Sequence, residues 1–152
     1  MVTKVVAQAP NNMAFFHEDG LVPAWKQAMK YAGKDGRVAT LPDIIQMRLN
    51  SKTGTPPWER YFTTSSAEYV GFGREGKKLI IVAHGVGPMA TIEGIVKAYS
   101  HQFEDTTRQK RGGRITQQEF LDLEAGKYGP VTIINFDGYV RGEGAGGIAR
   151  RV

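Results

Sequence analysis

His84 stands where an apolar run, Leu79-Ile80-Ile81-Val82-Ala83, gives way to Gly85-Val86-Gly87-Pro88 and then to Met89-Ala90-Thr91. An imidazole exchanges its proton near neutral pH, so a histidine at a strand end is a candidate general acid or base. Gly85 and Gly87 let a ligand approach the backbone, and Thr91 offers a hydroxyl. The helix expected next would turn its N-terminus towards the same spot, which suits an anion such as phosphate or carboxylate. A second apolar run ends in Asn135, Phe136 and Asp137. If the two runs are parallel neighbours, Asp137 lies beside His84, orients the ring and raises its pKa. The candidate set is then His84 and Asp137 for acid/base work, with Gly85, Gly87, Thr91 and Asn135 holding an anionic small molecule. No Gly-Lys-Ser/Thr follows the glycines, so the segment is not a phosphate-binding Walker loop, and it is not GxGxxG. Pro88 also removes one N–H from the turn, and two glycines after a strand can serve the turn alone.

A second group of residues suits a different partner. Arg108, Lys110, Arg111 and Arg114 surround two glycines, and Arg141, Arg150 and Arg151 recur near the C-terminus. Arginine among glycines fits phosphate-backbone contact, so nucleic acid is an alternative partner. No aromatic residues interleave with these cations. A third reading is structural: the chain forms a homo-oligomer or part of a larger assembly, with its Gly/Arg-rich C-terminal arm, residues 138–152, as a connector. Whether the chain is an enzyme at all stays open at this level.

The elements that must position these residues follow from periodicity and turn chemistry. Thr3 to Gln8 reads as a strand, broken at Ala9-Pro10-Asn11-Asn12, and Phe15-Phe16 then leads into a polar turn from His17 to Gly20. A helix around Pro23, with Val22, Trp25, Met29 and Ala32 on one face, ends at Gly33. A second begins at Thr40, where Asp43 completes a capping box. After the loop 50–57, two β-type runs, Arg60 to Phe72 and Lys77 to Ala83, flank Gly73-Arg74-Glu75-Gly76 and predict a hairpin. A helix from about Ala90 to Gln102 buries Ile92, Ile95, Val96 and Tyr99. A third is bounded by the Thr116–Glu119 capping box and Gly126. Pro130 to Phe136 is the last strand. The expected fold is α/β, with mixed α+β as its variant: one layered domain over residues 1–137 with a mixed sheet, a hairpin, and a right-handed parallel strand–helix–helix–strand crossover from Lys77 to Phe136.

The segment Glu68 to Ala90, with its hairpin, strand and His84-Gly85-Val86-Gly87-Pro88 turn, resembles the corresponding piece of nucleoside phosphorylases. The resemblance is local, rests mainly on glycines, and lacks a GDPxR-like motif upstream. It implies a phosphorylated or nucleoside-like ligand near the turn.

Composition narrows the remaining classes. The 152 residues include no cysteine, which excludes disulfides and thiolate chemistry. The three histidines, His17, His84 and His101, form no HxH or HExxH pair, so neither a metal nor a cofactor is expected. The net charge of +5 favours anionic partners. No apolar run is long enough to span a bilayer, and the N-terminus lacks a signal-peptide core, so the expectation is a cytoplasmic protein without membrane contact.

Overall fold

The computed structural model describes residues 3–9, 12–60, 62–101, 103–104 and 110–136; for 3–9, 12, 17, 103–104 and 110–111 it describes the backbone alone. The fold is mixed α/β. The chain gathers into two compact units, one up to Ser65 and one from Ser66. Asp137, Arg108 and the Gly138–Val152 arm lie outside the described residues.

The first unit is a three-stranded antiparallel sheet with helices. β1 (Thr3–Ala9) pairs with β2 (Asn12–Glu18) from Thr3↔Glu18 to Ala9↔Asn12, and with β3 (Arg37–Val38) on its other edge. The second strand is longer than the sequence suggests. Asn12, His17 and Glu18 have little β preference of their own, and the ladder to β1 overrides it. α1 (Leu21–Ala32) lies against β1 and β2 and buries Ala24, Trp25, Ala28 and Ala32. Met29, expected in that face, is exposed, because the buried face runs through Ala24, Trp25, Ala28 and Ala32. α2 (Leu41–Leu49) buries Ile44 beside Ala39, with Met13, Phe15, Met47 and Phe62 around them. The short α3 (Pro56–Glu59) follows.

The predicted capping box is present. Asp43 N–H donates to Thr40 Oγ1 (3.3 Å) and Thr40 N–H donates to Asp43 Oδ2 (3.0 Å). Arg37 adds two hydrogen bonds to the same carboxylate, at 3.0 and 2.8 Å. Burial alone would raise the Asp43 carboxyl, but the Arg37 and Thr40 hydrogen bonds and the Arg37 charge outweigh it and hold it below its ordinary value.

The second unit carries the candidate site. β4 (Ser66–Phe72) and β5 (Lys78–His84) form the expected antiparallel hairpin, from Ser66↔His84 to Phe72↔Lys78. β5 leads through a 3-10 turn, Pro88–Ala90, into α4 (Ile92–Tyr99). Two short strands follow, β6 (Phe103–Glu104) and β7 (Lys110–Arg111), paired with each other. Then come α5 (Gln117–Glu124), started by the predicted Thr116–Glu119 box, and β8 (Thr132–Asn135). Alternation places Ala67, Tyr69, Leu79, Ile81 and Ala83 on one sheet face, where Phe120 and Leu123 of α5 meet them. Gly71 leaves room for the Phe120 ring, since a Cβ there would stand 3.0 Å from it.

One expectation fails. β8 runs antiparallel to β5, with Leu79↔Asn135 and Val82↔Thr132, so among the described residues the sheet is antiparallel rather than mixed and has no parallel crossover. A connection holding two helices goes out and comes back, and re-enters the sheet at the end it left. No helix among the described residues is long and apolar enough to cross a membrane.

Two stability changes are expected. Leu123 is fully buried, so Leu123→Ala should cost about 2–5 kcal/mol in urea unfolding; a cost near zero would mean that this core is not closed. The Asp43 contribution is complete above the ordinary aspartate pKa of about 3.9 and is lost as pH falls through the lowered folded value. Acidification should therefore destabilise the parent chain more than Asp43→Asn, and equal acid sensitivity of the two would contradict the held carboxylate.

Candidate functional site

The turn after β5 is built from its glycines. Gly85 (φ 74°) and Gly87 (φ 102°) adopt backbone conformations that side chains disfavour. At Gly87 a Cβ would also stand 3.0 Å from Leu123 Cδ2 and 3.1 Å from the Tyr69 hydroxyl. At Gly94 it would lie 1.6 Å from the Pro88 carbonyl oxygen. The turn therefore docks directly on the first part of α4. Thr91 caps that helix, its Oγ1 accepting from Gly94 N–H at 3.1 Å.

Two N–H groups at the end of this turn are committed. Met89 N–H donates to Tyr69 Oη (3.0 Å), and Ala90 N–H to Gly87 O (3.1 Å). Tyr69 is 4% exposed. Burial pushes its hydroxyl up to about 12; the Met89 hydrogen bond works against this, and the nearby Tyr128 and Glu119 add to it.

His84 is exposed and ends β5. Its Nδ1 lies 2.6 Å from Oγ of Ser66, its cross-strand partner, which is 5% exposed. This contact fixes the ring and leaves Nε2 as the atom that can exchange a proton outward. Asn135 does not join it. Asn135 pairs with Leu79, at the opposite end of β5, about 17 Å from His84 at roughly 3.4 Å per residue. The premise for placing Asp137 beside His84, a parallel pair of strands, is thus gone.

A groove of about 280 Å³ opens on the other flank of the same turn. Pro88, Gly94, Lys97, Ala98 and His101 line one side, and Arg114, Ile115, Thr116 and Glu119 the other. Positions 94, 97, 98 and 101 follow helical spacing, so one face of α4 and its last turn form a wall. The opposite wall is pinned. Arg114 N–H donates to Ala98 O at 3.0 Å, and a Cβ on Gly113 would stand 2.6 Å from that same peptide. Lys97, His101 and Arg114 are exposed at the groove. The acid among them is engaged: Glu119 Oε1 accepts Thr116 N–H at 2.9 Å, and Thr116 Oγ1 accepts Glu119 N–H at 3.0 Å.

Sequence reasoning placed Arg114 in a basic cluster but singled out neither Lys97 nor His101 for the site. The helical spacing from Gly94 to His101 was the available signal. Lys110 and Arg111 lie on β7, where only the backbone is described, and Arg108 lies outside the described residues. Among the described residues no three His, Asp or Glu side chains gather as a metal site would require. No family model, curated protein or solved structure matches the chain. The likeness to nucleoside phosphorylases stays a local resemblance and adds nothing to the site.

The tyrosine supplies a direct check. Its folded pKa lies above its unfolded value of about 10, so its contribution to stability is complete below pH 10 and fades as pH rises towards about 12. Tyr69→Phe leaves the Met89 N–H unpaired and should cost about 1–3 kcal/mol, while reducing the loss of stability above pH 10. An unchanged alkaline profile would show that Tyr69 is not the buried hydroxyl responsible.

Proposed function

We propose that this protein binds a small anionic ligand in the groove between α4 and the 112–116 segment. The observation that carries the reading is the convergence of Lys97, His101 and Arg114 on one concavity. Cations spread over a surface are usually solvated, whereas cations lining one groove can share a single ligand. Pro88, Ala98 and Ile115 offer apolar surface to an uncharged part of that ligand. The volume, about 280 Å³, suits a small molecule. The reading keeps the anionic ligand expected from the sequence and moves it from the Gly85–Gly87 backbone to the far flank of the turn.

The Ser66–His84 contact supports an additional reading, proton transfer by His84 Nε2. It assigns Ser66 the work that the sequence reading gave to Asp137: holding the ring.

Calorimetric titration with methyl phosphate tests the groove. Lys97→Ala and Arg114→Ala should each weaken binding by about 10- to 100-fold, as expected for loss of one charge-assisted hydrogen bond. Binding indifferent to both substitutions would remove the groove as the site. For any ligand so identified that the protein also turns over, His84→Gln should abolish turnover and leave binding intact; retained turnover would dismiss His84 as the acid/base.

A further inference from the structure

We propose that His84 is a covalent acceptor for a phosphoryl group, carried on Nε2, and that Ser66 fixes which ring nitrogen reacts. The inference takes the His84 reading above one step further and is independent of the groove.

The ladder explains why these two side chains meet. Gly73 N–H donates to Lys77 O across the hairpin turn at 2.9 Å. Alternation from that bond makes Ser66 and His84 a cross-strand pair of the non-hydrogen-bonded kind. Side chains of such pairs stand closest, which accounts for the 2.6 Å between Ser66 Oγ and His84 Nδ1. Ser66 is 5% exposed and His84 is exposed, so the buried end of the contact is the hydroxyl and the open end is the ring. Gly85 turns the chain, with φ 74°, directly after the ring. Among the described residues, Ser66 Oγ is the ring's one polar partner.

The first consequence concerns the reacting atom. With its hydrogen on Nδ1, donated to Ser66 Oγ, the ring carries its lone pair on Nε2, the nitrogen facing away from Ser66. An imidazole nitrogen with a free lone pair is a nucleophile as well as a base. The second consequence concerns the group transferred. A carboxylate on Nδ1 would set a negative charge beside an incoming phosphoryl group; a hydroxyl orients the ring without that charge. The net charge of +5 favours an anionic donor.

The ligand class is a small phosphoryl donor with a good leaving group. Nε2 attacks phosphorus, the Nε2–P bond forms, and the bond from phosphorus to the leaving group breaks with its electron pair. With phosphoramidate protonated on nitrogen, ammonia leaves. The Nδ1 proton stays on the ring, which becomes a phosphoryl-imidazolium and donates a charge-assisted hydrogen bond to Ser66 Oγ. Ser66 is thus a positioning residue, and its partner gains strength as the covalent bond forms.

Incubating the full chain with phosphoramidate at neutral pH, followed by phosphorus NMR and mass spectrometry of the acid-labile phosphate, tests this. His17 and His101 serve as internal references. His84 should be labelled about tenfold faster than either, and at Nε2 alone. In Ser66→Ala, labelling of His84 should slow by about tenfold and the Nδ1 isomer should appear, as expected for loss of one charge-assisted hydrogen bond. Equal labelling of the three histidines in the parent chain, or a mixture of ring isomers at His84, would overturn the inference without recourse to a variant. An unchanged rate and isomer in Ser66→Ala would overturn the role of Ser66. If His84 stays unlabelled while His84→Gln abolishes turnover of a ligand, the covalent step falls and proton transfer stands.

Discussion

The contact between the Pro88 carbonyl and Gly94 governs the second unit. The oxygen occupies the space that any side chain at position 94 would need. This brings the backbone of the turn onto the backbone of α4 without intervening side chains. Everything nearby depends on that approach: the Thr91 cap that accepts from Gly94 N–H, the burial of Tyr69 beneath Met89, and the groove whose lining begins at Pro88 and Gly94. A second close approach, Gly113 on Ala98, lies one helical turn further along the same helix. Two glycines thus clamp α4 at positions four residues apart.

Much of the local structure was legible because it follows from short-range chemistry. Both capping boxes could be read from Thr40–Asp43 and Thr116–Glu119, and both are present with reciprocal hydrogen bonds. The β4–β5 hairpin followed from two apolar runs around Gly73-Arg74-Glu75-Gly76. What was not legible depends on pairing at a distance. β2 is a strand because β1 lies beside it, and the direction of β8 is set by how a two-helix connection closes. Reversing one strand was enough to move Asn135 to the opposite end of β5 from His84, although each element was read correctly by itself.

The glycines of the turn illustrate an ambiguity in reading ligand sites from composition. A glycine needed for a positive φ, one needed for a ligand, and one needed for a packed neighbour look alike in sequence. Here Gly87 faces Leu123 and the Tyr69 hydroxyl, and Gly94 faces a carbonyl. The neighbours are protein. The N–H groups of Met89 and Ala90 are answered by Tyr69 Oη and Gly87 O, and a ligand would have to displace those bonds to use them. Losing a buried pair costs roughly 1–3 kcal/mol before any gain from the ligand.

In the groove, too, the fold has already satisfied some of the lining groups. Thr116 and Glu119 cap each other, so the acid that lines the groove among the described residues is engaged at the start of α5. Arg114 is anchored through its backbone N–H to Ala98 O, which fixes where its side chain begins. Lys97 and His101 sit near the C-terminal end of α4, where the helix dipole favours positive charge. Holding cations together costs their mutual repulsion, and an anion shared among them in one concavity is the arrangement that would offset it.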